Sequence, residues 1–134
     1  MNDSTFETLL EVAPEPPIEW EKLPKIYNRY EKYKSLVLRI AKAVTIIVKA
    51  RRYCSIMEIR KAISNNEFKT GNVPENAMIR RILGAMPDIS RARLKELTKN
   101  RFVGVEATTR LYRQYNNGAT ILYWFKYGKH PTER

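Results

Sequence analysis

Apolar residues recur every three or four positions through Ile26, Tyr30, Tyr33, Val37, Ile40, Val44 and Ile47. This single stripe predicts one long amphipathic helix, or two abutting ones, over about 25–51. Pro24 suits its first turn, and Tyr27, Leu36, Ala43 and Val48 broaden the apolar face. Next, Ser55-Ile56-Met57-Glu58 has the spacing of a capping box, with Ser55 at the cap and Glu58 reaching back. A short helix over about 56–64 follows, burying Ile56, Ile59, Ala62 and Ile63. The polar stretch 65–72 reads as a loop. A third helix, about 75–86, turns Met78, Ile79, Ile82, Leu83 and Met86 inward, and Pro87 stops it. Asp88 or Ser90 then caps an expected fourth helix, 90–100, with Ile89, Leu94 and Leu97 inward.

Beyond Arg101 the period shifts to two. Phe102–Ala107 reads as a short strand, and Arg110–Tyr115 and Ala119–Tyr127 read as the arms of a β-hairpin. Asn116-Asn117-Gly118 between them supplies the positive φ that a tight hairpin turn requires. The expected fold class is therefore mainly α with a C-terminal β-hairpin (α+β). Three parts are expected: an acidic, proline-rich N-terminal arm (1–24), a basic helical domain (25–128) and a polar, frayed tail (129–134). In the arm, Ala13-Pro14-Glu15-Pro16-Pro17 favours extended polyproline II. Phe6, Leu9, Leu10 and Val12 suit a short docking helix turn, and Trp20 an anchor onto the body.

Charge sharpens the picture. The chain of 134 residues has 25 Lys plus Arg against 14 Asp plus Glu, a net +11. Residues 1–25 hold six of the acids and only Lys22 and Lys25, so the remainder carries 23 bases against eight acids, +15. Between Lys32 and Arg52 stand seven bases and no acid. A compact body so charged attracts polyanions, which makes nucleic acid the leading partner. The acidic arm can compete for the same basic face. The longest apolar stretch, Leu36–Ala50, carries Arg39, Lys42 and Lys49, so no membrane span is expected. Residues 1–17 lack the pattern of a signal peptide. The single cysteine, Cys54, suits a buried thiol in a reducing, cytoplasmic setting. The scarcity of glutamine alongside abundant Ile, Tyr, Lys and Arg suits a thermophilic archaeon or its virus.

Catalytic material is poor. His130, the one histidine, falls in the tail, and no phosphate loop, Cys/His pair or Asp-x-Asp motif occurs. No enzyme, metal or cofactor is expected. Binding material is better. Helix 90–100 would present Arg91, Lys95 and Thr98 on one outer face, with Arg93 and Lys99 beside them. Arginine pairs bidentately with guanine, while Lys and Thr reach phosphate or base edges. On the hairpin, Arg110, Arg113 and Lys126 are interleaved with Tyr112, Tyr115, Tyr123 and Trp124, a mixture suited to backbone contact or base stacking. Alternation sends either Tyr123 and Phe125 or Leu122 and Trp124 to the core.

Residues 34–127, through Cys54–Ile63, Asn76–Met86, the turn Pro87-Asp88-Ile89 and Arg91–Val103, resemble the winged-helix variant of the helix-turn-helix superfamily. The resemblance implies a recognition helix in the major groove and a wing hairpin on the flanking backbone or minor groove. Helix 90–100 is the first candidate for recognition, and 75–86, with Arg80 and Arg81 outward, is the second. Arg110, Arg113 and Lys126 would grip phosphate, Tyr115 would lie against the strand, and Arg39, Lys42, Arg51 and Arg52 would extend the footprint. The expected function is double-stranded DNA binding by a transcription or replication regulator, with a homodimer through the long helix as a further expectation. The alternative is a non-catalytic subunit of a larger replication, transcription or RNA–protein complex, contacting single strands or RNA. A third reading is a protein–protein module with the acidic arm as docking peptide.

Overall fold

The computed structural model describes residues 3–66, 74–99 and 103–133. Most of the loop expected at 65–72, the approach to the third helix at Asn72-Val73, and Phe102 lie outside the described residues. The chain is mainly helical with a small three-stranded antiparallel sheet. In order it runs α1 (Asp3–Val12), a 3-10 turn (Trp20–Lys22), α2 (Ile26–Arg29), α3 (Glu31–Arg51), β1 (Tyr53–Ser55) and α4 (Ile56–Asn66). There follow α5 (Asn76–Gly84), β2 (Ile89–Arg93), α6 (Leu94–Leu97), α7 (Val105–Tyr115) and β3 (Ile121–Phe125).

The long apolar stripe forms two helices, broken at Tyr30, whose extended backbone (φ −110°, ψ 133°) starts α3. Only its later part is core: Val37, Ile40, Ala41, Ala43, Val44, Ile47 and Val48 are buried, whereas Ile26 and Tyr30 are about half exposed. α3 ends at Arg52, whose amide donates to the Val48 carbonyl (2.7 Å) at a φ of 75°. The capping box forms as its spacing predicts. The Ser55 amide donates to Glu58 Oε1 (2.9 Å) and the Glu58 amide to Ser55 Oγ (3.3 Å), which starts α4 directly after β1.

The sheet order is β1-β3-β2, with the last strand in the middle. Tyr53↔Trp124 and Cys54↔Tyr123 set the register on one side, Arg91↔Tyr123 and Arg93↔Ile121 on the other. Alternation therefore places Cys54, Tyr123, Ile121, Phe125 and Ile89 on one face, packed against the core of α1, α3, α4 and α5. The opposite face, with Tyr53, Ala92, Leu122 and Trp124, carries a second core completed by Leu94, Leu97 and Leu111 from α6 and α7. Both alternatives for the inward residues of 122–125 are thus realised at once, because both faces are covered.

Two expected elements change type. Residues 90–93 continue as strand: β2 pairs with β3 along its whole length, and helix is confined to the single turn Leu94–Leu97. Ladder bonds to a central strand outweigh the modest helix preference of Ser-Arg-Ala-Arg. The expected strands at 102–107 and 110–115 are replaced, over the described residues, by α7, which buries Ala107 and Leu111 four residues apart. Asn116 closes that helix with φ 54°, its amide donating to the Tyr112 carbonyl (2.8 Å). The Asn-Gly signal therefore marks a helix end and the return into β3, and no 110–115/119–127 hairpin forms. Gly118 sits at a close approach, since a Cβ there would stand 3.0 Å from the Tyr112 hydroxyl and 3.2 Å from Lys95 Cβ.

The terminal segments are also more engaged than expected. Phe6 and Leu10 on α1 and Leu23 beyond it enter the main core, and the Glu19 amide donates to the Ala85 carbonyl (2.7 Å). Trp20 packs at the edge of that core. In the tail Pro131 is buried, and His130 meets Trp124 edge-on at 5.2 Å. Among the described residues no helix is long and apolar enough to cross a membrane.

Candidate nucleic-acid interface

α5 is amphipathic, with Ile79, Ile82 and Leu83 buried and Ala77, Arg80, Arg81 and Gly84 exposed. The outward four fall at i, i+3, i+4 and i+7, so they form one stripe with two arginines between two small residues. A Cβ at Gly84 would meet nothing within 4 Å, so this end of the stripe is open. Neither arginine makes an ion pair among the described residues.

β2 lies alongside. Arg91 and Arg93 are exposed and, by alternation, project from the sheet face that carries α5. Arg91 is the register partner of Tyr123, whose hydroxyl is buried. Burial pushes the Tyr123 phenol up, and the charges of Arg91 and Arg80 pull it back. Arg91, from the neighbouring strand, is thus the arginine that the sheet register sets beside this ring. Lys95 and Lys99, on and after α6, are exposed further along the chain.

The other candidates separate by what they touch. Thr98 Oγ1 donates back to the Leu94 carbonyl (2.9 Å), so its hydroxyl closes the α6 turn. Arg51 pairs with Glu58 (3.1 Å) at the α3–α4 junction. Arg52 Nη2 donates to the carbonyls of His130 (2.9 Å) and Glu133, and Arg110 Nη2 to that of Pro131 (2.6 Å). Arg51, Arg52 and Arg110 are therefore tied into the fold. Arg113 is exposed on α7, and Lys126 Nζ lies 5.9 Å from the Tyr127 ring centroid. Tyr115 packs into the second core, accepts a hydrogen bond from Gln114 Nε2 (3.1 Å) and faces Tyr53 at 6.4 Å. Burial first, and Glu58 second, push its phenol up. Arg39 and Lys42 line a hollow between α1 and α3 with Glu11 and Glu15, where the acidic arm faces them.

The structure thus places Arg80, Arg81, Arg91 and Arg93 around α5 and β2 and leaves Arg51, Arg52, Arg110, Tyr115 and Thr98 in structural contacts. Arg91, Lys95 and Thr98 do not share a helical face, because Arg91 belongs to a strand and Lys95 to the following turn. Ala77 and Gly84 were missed by sequence reasoning, although helical spacing around Arg80 and Arg81 marks both. Among the described residues no three His, Cys, Asp or Glu side chains gather as a metal site would require. No protein-family model, curated protein or solved structure matches the chain significantly.

Proposed function

We propose that the protein binds double-stranded DNA without catalysing a reaction, with α5 as the recognition helix and β2 as its flanking support. The observation that carries this reading is the outward stripe of α5, two arginines flanked by Ala77 and Gly84. Small residues let the helix backbone approach a groove, and paired arginines suit guanine edges or phosphates. The sequence of α3, β1, α4, α5 and the β2–β3 pair supports a winged-helix plan. In this reading α6 and α7 take the place of a simple wing loop, and α5 replaces 90–100 as the reading element. A role in regulating transcription or replication follows as part of the same proposal.

The rival contact with single strands or RNA has less support. Tyr123 and Trp124 are buried and offer no open face for stacking, and Tyr112 and Tyr115 are half-buried on a helix. The test is fluorescence anisotropy on duplex DNA, single-stranded DNA and RNA of equal length across a salt series. Arg80→Ala/Arg81→Ala is expected to weaken duplex binding by about 1–3 kcal/mol for each base edge no longer read. Arg91→Ala/Arg93→Ala is expected to reduce the salt slope by about 0.9 for each phosphate no longer neutralised. Tighter single-strand or RNA binding that ignores both double substitutions would refute the proposal.

A further inference from the structure

A hollow of about 530 Å³ opens where the end of α3 meets the end of β3. Lys49, Arg52, Phe125, Tyr127 and Lys129 line it, with Asp88 as its acid. None of Ala77, Arg80, Arg81, Gly84, Arg91 or Arg93 does so. The volume falls in the range of small-molecule sites. Three cations against one carboxylate give the lining a net positive charge.

Within the lining Lys49 Nζ stands 5.6 Å from the Phe125 centroid; Lys126, outside the lining, holds its Nζ 5.9 Å from the Tyr127 centroid. Tyr127 is 81% exposed, an aromatic side chain with almost no apolar cover. Backbone bonds hold the segment that carries it: the Lys126 amide donates to the Asp88 carbonyl (2.8 Å) and the Gly128 amide to the Phe125 carbonyl (2.9 Å). Arg52, anchored to the tail carbonyls, contributes a charge whose position is fixed.

We propose that this hollow is a second binding site, specific for a nucleotide unit, with phosphate among Lys49, Arg52 and Lys129 and the base stacked on Tyr127. Phosphate alone needs only the cations, whereas a presented ring beside them matches a ligand that is anionic at one end and planar at the other. That ligand chemistry has two sources, a free nucleotide and an unpaired nucleotide of a strand. Because the site shares no residue with the α5 stripe, it stands or falls independently of duplex recognition.

Isothermal titration of the full chain with ATP, AMP and inorganic triphosphate tests the site, with blunt and overhanging duplexes as a second arm. Saturable binding of ATP, tighter than triphosphate, is expected. Tyr127→Ala and Lys49→Ala should each weaken it about tenfold, and Tyr127→Phe should retain it. Arg80→Ala/Arg81→Ala should leave ATP binding unchanged. An overhang preference abolished by Tyr127→Ala, without ATP binding, would assign the site to a strand. Triphosphate binding as tightly as ATP overturns the nucleotide assignment. So does the absence of both nucleotide binding and overhang preference, or indifference to Tyr127→Ala. Both substituted side chains are exposed, so each variant is expected to fold, which circular dichroism melts check.

Discussion

Arg52 and Cys54, two residues apart, carry opposite kinds of constraint. Arg52 adopts a φ of 75°, which costs a side-chain-bearing residue of order 1–3 kcal/mol, and its guanidinium is bound to tail carbonyls. Arg52→Gly removes both the strain and the anchor, whereas Arg52→Ala removes only the anchor. Urea denaturation is therefore expected to find the glycine variant about 1 kcal/mol more stable than the alanine variant. Cys54 is fully buried, and burial first, with the Glu58 charge second and Arg51 opposing, pushes its thiol up from 9.0 to about 12. The native thiol is expected to resist alkylation at pH 8 and to react once the chain is unfolded. A raised folded pKa favours the protonated state, so the contribution of Cys54 to stability is intact below pH 9.0 and lost as pH climbs toward about 12. Cys54→Ala should flatten that part of a stability–pH curve.

At the scale of elements, the junction between α6, α7 and β3 is the tightest test of the structure. The Lys95 amide donates to the Gly118 carbonyl (2.9 Å) and the Leu94 amide to that of Thr120 (2.8 Å). Gly118→Ala must push its Cβ against Tyr112 and Lys95, and overpacking of that kind costs about 1–3 kcal/mol. The expected outcome is a lower denaturation midpoint with the α5 surface unchanged, read as unaltered duplex affinity per folded molecule. The same junction shows what local pattern carries and what it does not. The α3 stripe, the Ser55–Glu58 box and the Pro87 stop are short-range signals: the box forms as spaced, the stripe is core only from Val37 onward, and α5 ends at Gly84, two residues short of the expected Met86. Ser90–Arg93 carries no strong period of its own and takes its strand form from a partner some thirty residues away, which no local window contains. In 110–115, Tyr112 and Tyr115 imitate strand composition while the Ala107–Leu111 spacing is helical. The basic character of the surface was legible. Which arginines stay exposed and which are tied into the fold was not, because that depends on tertiary contacts such as those of Arg52 and Arg110 with the tail.

Over the whole molecule, the acidic arm is part of the packing. Phe6 is 1% exposed within the same core as Ile40, Ile59 and Ile79. Phe6→Ala should cost about 3–5 kcal/mol, measured by chemical denaturation, a loss out of scale for a solvated tail. Glu11 and Glu15 face Arg39 and Lys42, so part of the arm's negative charge is set against α3. The molecule then presents its remaining positive charge elsewhere, including the α5–β2 side.

The central position of β3 also bears on how the chain reaches this structure. A growing polypeptide exposes β1 first and β2 well after it, and neither pairs with the other. Tyr53 must wait for Trp124, so the sheet closes across a long loop whose entropy opposes early pairing. The helices α3, α4 and α5 can collapse on one another during synthesis, leaving two orphan strands open until β3 inserts between them. That insertion joins both edges and seals both cores in one step, which makes the interval before it the period of greatest exposure to misassociation.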